Sequence, residues 1–236
     1  MHHTLDIQNL HFSYPDGRKA LRGVSLFINP GEKTALVGPN GSGKSTLLLH
    51  LNGILRGEGE VHVCGKELTE DSLRQIRASV GLVFQDPDDQ LFSQSVYEDV
   101  AFGPLYMDLP KDEVAQKVRQ ALEAVGMAGS EPRVPHHLSE GEKKRVAIAT
   151  VLSMDPEVLA LDEPTAGLDP RGRRELIQLL RGLPQTMLVA THDMRMVAEL
   201  FDRTVIIDEG KVVADGPTAQ VLAEPHLLEM HGLEAP

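Results

Sequence analysis

The 236-residue chain reads as an α/β protein with a helical insert, and three observations predict it. Strand-like and helix-like runs alternate on both sides of the middle. A long helical stretch, from Val96 to Leu152, interrupts that alternation. A glycine-rich loop of the form G-x-x-x-x-G-K-[ST], Gly38-Pro39-Asn40-Gly41-Ser42-Gly43-Lys44-Ser45-Thr46, joins a short strand to a helix.

In chain order, Leu5-Asp6-Ile7 and Val24, Leu26 and Ile28 alternate as strands do, with a Pro15-Asp16-Gly17 turn between them. Lys33-Thr34-Ala35-Leu36-Val37 is the strand before the loop, and Ser45 to Leu51 the first turns of the helix after it. A second β pair surrounds Glu60-Val61-His62-Val63, and Val80 to Phe84 is the next strand. Val114, Val118, Leu122 and Val125 then fall on one helical face. Another helix is expected from Glu140 to Leu152. Val158-Leu159-Ala160-Leu161 is continuously apolar, as a fully buried parallel strand should be. Helices near 170–181 and 193–200 alternate with strands near 186–190 and 204–208, and Glu209-Gly210 turns into a last strand from Lys211.

The loop implies phosphate binding. Glycines at 38, 41 and 43 let the backbone take φ > 0 and aim successive N–H groups at an anion, and the following helix adds its positive end. Lys44 supplies a mobile charge for β- and γ-phosphates, and the Ser45 hydroxyl can ligand Mg²⁺. Asp162 ends the buried strand, where a carboxylate can hold Mg²⁺ through water. Glu163, one residue on, can act on an attacking water. Leu138-Ser139-Glu140-Gly141-Glu142 carries two readings at this point. Ser139 with Glu142 is a capping box that starts a helix, and a capped helix start with a glycine is also an anion site.

Composition excludes several classes. With 35 acidic against 23 basic residues, a net charge of −12 argues against non-specific binding to nucleic acid or to an anionic membrane. No apolar run approaches the ~20 residues of a spanning helix, and no secretory signal is expected. Cys64 is the only cysteine, so no internal disulfide forms, which suits the cytoplasm.

Taken in order, these motifs resemble those of the ATP-binding subunits of ABC transporters, over nearly the whole length. The family signature LSGGQ is matched by Leu138 to Glu142, with departures at Glu140 and Glu142. Ala166-Gly167-Leu168-Asp169 resembles the D-loop, Gln85 stands at the Q-loop glutamine and His192 at the switch histidine. The resemblance implies a P-loop NTPase, RecA-like core with an antiparallel β subdomain and an inserted α-helical subdomain. One domain, 1–236, is then expected: 1–85 with 153–217 as β subdomain and core, 86–152 as the helical subdomain with the signature, and 218–236 as a helical tail.

The resemblance also implies roles. ATP and Mg²⁺ are the expected cofactors. Gln85 reaches Mg²⁺ and the γ-phosphate, His192 positions the attacking water, and Tyr14 stacks on adenine, with Phe12 as its rival. Ser139, Glu140, Gly141 and Glu142 act on ATP held by a second ATPase subunit, in a homodimer or a heterodimer. Binding closes the dimer and hydrolysis reopens it. Integral membrane subunits are the other partners, which places the chain at the cytoplasmic face of the cell membrane.

The run Val83-Phe84-Gln85-Asp86-Pro87-Asp88-Asp89-Gln90-Leu91-Phe92 is similar to that of the cobalt/nickel (CbiO-like) and energy-coupling-factor branch, importers of metal ions or vitamins. Residues 86–99 hold five carboxylates and no base, a candidate receptor for basic helices of the membrane partner. Two alternatives stay open: a soluble ABC ATPase of DNA repair or translation, and a regulatory nucleotide-binding module. Glu163 and His192 discriminate against the second, since a pure binder needs neither a base nor a γ-phosphate sensor.

Overall fold

The structure is a computed structural model that describes residues 3–234; residues 1, 2, 235 and 236, at the ends of the expected 1–236 domain, lie outside them. The described chain divides into two compact units. The first comprises the residues up to Leu82, Glu157–Glu163 and the chain from Pro184 on; the second comprises Val83–Pro156 and Pro164–Leu183.

In the first unit, β1 (Leu5–Ser13) and β2 (Lys19–Ile28) form an antiparallel pair across the Pro15-Asp16-Gly17 turn. Leu5, Ile7 and Leu10 are buried with Val24, Leu26 and Ile28 opposite them. β3 (Lys33–Val37) leads through the glycine loop into α1 (Lys44–Leu51). β4 (Glu58–Val63) and β5 (Lys66–Glu67) complete a four-stranded sheet of order β2-β1-β4-β5. Cys64 sits in the turn between them at φ 50, not within a strand. Burial and the neighbouring Glu157 push its thiol pKa up to about 12, which keeps it protonated. The short α2 (Leu73–Ser79), absent from the sequence expectation, buries only Ile76 and runs directly into β6 (Val80–Val83).

The second unit is helical. Ser95 caps α3 (Val96–Tyr106), accepting from the Glu98 N–H. α4 (Lys111–Ala124) buries Val114, Val118 and Leu122 on the expected face, with Asp112 and Glu113 beside its positive end. α5 (Glu140–Leu152) starts at the Ser139–Glu142 capping box and packs on both preceding helices. The chain then returns to the first unit as β7 (Val158–Asp162), four of whose residues are fully buried. α6 (Pro170–Gly182) belongs with the helices, although the sequence grouped it with the core. It packs on α5, and Arg145 of α5 meets Glu175 at 3.1 Å.

β8 (Thr186–Ala190), α7 (Met194–Leu200), β9 (Arg203–Asp208) and β10 (Lys211–Pro217) finish a six-stranded sheet of order β10-β9-β3-β8-β7-β6. β3 lies between β8 and β9 and runs parallel to both, so the loop strand is central although it comes early in the chain. β7 and β8 are buried on both faces, which explains their apolar runs. Arg203 secures the edge, pairing with Asp215 at 2.7 Å and Glu32 at 2.8 Å. α8 (Thr218–Leu222) and α9 (Pro225–Met230) close the chain, and His231 holds Asp208 at 2.8 Å. No helix of the described residues is long and apolar enough to cross a membrane.

Candidate nucleotide site

The glycine loop is shaped by the strands around it. Gly38, Gly41 and Gly43 all have positive φ, at 156°, 80° and 112°. A side chain at Gly38 would place its Cβ 2.0 Å from the Ile207 carbonyl oxygen, and one at Gly43 would lie 2.7 Å from that of Ala20. The Gly210 N–H donates to the Ser42 carbonyl at 2.9 Å, and the Gly210 carbonyl accepts from the Arg22 N–H at 2.8 Å. The last hairpin therefore straps the loop to β2. Lys44 is buried, and its ammonium donates to the carbonyls of Gly38 at 2.7 Å and Pro39 at 3.0 Å. Burial pushes its pKa down, and the carboxylates of Glu163 and Asp162 push it part of the way back.

Asp162 and Glu163 stand at the end of β7, facing this lysine. Burial raises the Asp162 pKa, and a hydrogen bond with Ser45 opposes the rise. Among the described residues, Asp162 Oδ1 is buried without a hydrogen-bond partner, as is the hydroxyl of Ser42 in the loop. A buried carboxylate oxygen left unpaired beside a serine hydroxyl is what an oxygen-liganded Mg²⁺ needs, so these residues fit the ion. An unpaired buried hydroxyl in the loop suits an oxyanion in the same way.

Glu163 is 6% exposed and has φ 43, a left-handed conformation costing about 1–2 kcal/mol for a residue with a side chain. Its N–H donates to the Ala190 carbonyl at 2.8 Å, which holds it there. Glu163 Oε1 is 2.8 Å from His192 Nδ1, and Oε2 accepts from the Thr191 hydroxyl at 3.2 Å and the His192 N–H at 3.3 Å. The imidazole is otherwise exposed, its side chain 65% accessible, so the ring is oriented by Glu163 and presents its other edge to solvent. The strand before His192 and the strand before Glu163 are neighbours, which is how residues 29 apart in sequence meet.

Tyr14 hydrogen-bonds the Thr46 hydroxyl at 2.9 Å, so the expected adenine residue does lie against the loop helix. The Arg18 guanidinium is 4.7 Å above its ring, and Phe12 meets it edge-on at 5.0 Å. Phe12 also packs against the fully buried His50, which gives the rival aromatic a core role.

The remaining candidates lie in the helical unit. Gln85 is exposed, and its carbonyl accepts from Lys144 Nζ at 3.0 Å. Gln90, not singled out by sequence reasoning, fixes this segment: its Oε1 accepts from the Phe84 N–H at 3.2 Å and its Nε2 donates to the Ala147 carbonyl at 2.9 Å. A lone glutamine in an acidic run gave no signal of that. Asp169 caps α6, accepting from the Gly172 N–H at 2.6 Å. Several carboxylates of the acidic stretch have local partners, while Asp86, Asp88, Asp89 and Glu98 are exposed. Asp88 pairs with Lys143 at 2.7 Å, Asp99 accepts from the N–H groups of Phe92 and Ser93, and Glu98 from that of Gln94.

At the signature the expected capping box forms. Ser139 and Glu140 are exposed, and Glu142 closes the box. Gly141 has open space around it: a methyl group added there would meet the Leu168 side chain at an ordinary 3.8 Å. A hydrogen bond from Arg133 and two from Ser139 hold the Glu142 carboxyl down to about 2.

Comparison with known proteins agrees with this geometry. The ABC transporter family matches residues 21–166. The energy-coupling factor transporter ATP-binding protein EcfA of Carboxydothermus hydrogenoformans is 50% identical, over 100% of this chain and 88% of that protein. Among solved structures, cbiO1 from Clostridium perfringens, part of the ABC transporter complex cbiONQ, is 43% identical with a TM-score of 0.85, covering 98% of this chain and 94% of that one. The dimeric post-hydrolysis state of the ATP-binding cassette MJ0796, bound to ADP and Pi, is 28% identical with a TM-score of 0.81, covering 91% and 98%. A phosphate loop, a paired glutamate and histidine, and these likenesses across the chain lead to one assignment: it belongs to the ABC transporter family, as an ATP-binding, ATP-hydrolysing subunit with the P-loop NTPase fold.

Proposed function

We propose that this ATPase drives an importer for cobalt or nickel ions, working as a dimer on the cytoplasmic side of integral membrane subunits. The observation that carries the proposal is the likeness to cbiO1 over nearly the whole chain, at 43% identity. The similarity of the Val83–Phe92 run to the same branch supports it.

In this reading the loop amides and Lys44 bind the polyphosphate, and Ser45 with Asp162 hold Mg²⁺, Asp162 through water. The ion offsets phosphate charge when bound. Glu163 takes the proton of the attacking water, and His192, oriented by Glu163, hydrogen-bonds the γ-phosphate. Ser139 and Gly141 complete the site of the partner subunit, so closure depends on ATP and reverses on hydrolysis. The 50% identity to EcfA favours a second reading, a vitamin importer of the energy-coupling-factor type.

Co-expression with the membrane subunits, followed by uptake assays with cobalt, nickel and vitamins, separates the two. ATP-dependent accumulation of cobalt or nickel is expected. Uptake of a vitamin without either metal would overturn the metal reading and leave the ATPase assignment intact.

A further inference from the structure

The signature departs from its family pattern at Glu142, and the structure shows what accompanies the departure. Arg133 Nη1 donates to Glu142 Oε1 at 2.6 Å, while Oε2 accepts from the Ser139 N–H at 2.9 Å and from the Ser139 hydroxyl at 2.8 Å. A capping box closes with glutamine as well as with glutamate, so the helix start alone does not call for an arginine. What calls for one is the charge. Glu140 and Glu142 both stand in the first turn of α5, where they suit the helix dipole but oppose an incoming polyphosphate. The neighbouring cations have other partners: Lys143 is paired with Asp88 and Arg145 with Glu175. Arg133 is the cation bound to Glu142.

The same residue reaches another element. Its carbonyl accepts from the N–H of Val96, the first residue of α3, at 2.9 Å, and the Glu131 carbonyl accepts from the Tyr97 N–H at 2.9 Å. One residue therefore ties the start of α3 through its backbone, and the signature serine through its side chain and Glu142.

We propose that Arg133 is a positioning residue for the signature: by neutralising Glu142 it lets Ser139 be presented to the polyphosphate of a partner subunit although a carboxylate replaces the family's glutamine. The hydroxyl of Ser139 points at Glu142, and a carboxylate shared with a guanidinium is a weaker competitor for it than a bare one. Without the arginine, an uncompensated negative charge would stand beside the phosphates. The proposal rests on the two-subunit reading above, and the experiment keeps the two apart.

Dimerisation by Mg-ATP is measured by sedimentation for Glu163→Gln as the parent, then with Arg133→Ala, with Glu142→Gln, and with both added. Arg133→Ala should weaken the dimer about tenfold or more, an amount readily resolved as an affinity change, and the loss should shrink as salt screens the unpaired carboxylate. Adding Glu142→Gln should restore the dimer, since a neutral side chain needs no counter-charge. Arg133→Ala dimers as tight as the parent's would overturn the proposal, as would a loss that Glu142→Gln leaves unrepaired. Glu142→Gln alone keeps the test decisive if Arg133→Ala does not fold: it should dimerise at least as well as the parent, and a weaker dimer contradicts the charge argument. A parent that stays monomeric with Mg-ATP refutes the two-subunit reading and removes the proposal with it.

Discussion

Replacing Glu163 with glutamine isolates the chemical step from the rest of the site. The side chain is 8% exposed and nearly isosteric with its replacement, so the fold should hold. An amide oxygen can still accept from the Thr191 hydroxyl and the His192 N–H, now at 3.2 and 3.3 Å from Oε2. The amide nitrogen then faces His192 Nδ1, which accepts from it in the appropriate tautomer. What disappears is the proton acceptor and one negative charge near Lys44 and Asp162. Losing a general base costs about 10²–10⁴-fold, or roughly 2.7–5.4 kcal/mol of barrier at about 1.36 kcal/mol per tenfold. ATP binding should be equal or tighter, because a carboxylate that repels phosphate has gone. The check is single-turnover hydrolysis with bound ATP, alongside equilibrium binding and sedimentation. Turnover within about twofold of wild type, far short of that range, would refute the base assignment and shift attention to His192.

Two more outcomes follow from the geometry. Tyr14→Ala should weaken ATP binding with the chemical step largely intact, while Tyr14→Phe, which loses only the bond to Thr46, should bind nearly as well; equal affinity for all three proteins would exclude stacking at Tyr14. Glu142, held at about 2 against an ordinary 4.5, stabilises the fold above about pH 4.5, and that contribution is lost as pH falls toward 2. Across that window wild type should lose stability to urea more steeply than Glu142→Gln; parallel curves would contradict the ion pair.

The sequence was most informative where one local rule decides the structure. The bounds of α5 could be read because Ser139 and Glu142 cap each other, and β7 because a strand buried on both faces must be apolar throughout. α2 could not, since seven residues with one buried side chain leave no period to detect. In the site, residue types were legible but their conformations were not. Nothing local shows that Glu163 takes φ 43, because the bond that holds it comes from Ala190 on another strand. The local partners of the acidic stretch were hidden for the same reason. Asp88 and Asp99 look available until Lys143 and the amides of Phe92 and Ser93 are placed beside them.

The position of β3 has a consequence in time. The loop strand is synthesised early, yet its partners β8 and β9 and the strap at Gly210 are made late. Roughly 170 residues separate Gly38 from Gly210, which at about 5–20 residues per second is roughly 9–34 s of synthesis. For most of that interval β3 lacks both sheet neighbours, and Gly38 has no Ile207 carbonyl to shape against. ATP can therefore stabilise this protein only after nearly all of it exists. An apolar strand thus completes its sheet only near the end of synthesis.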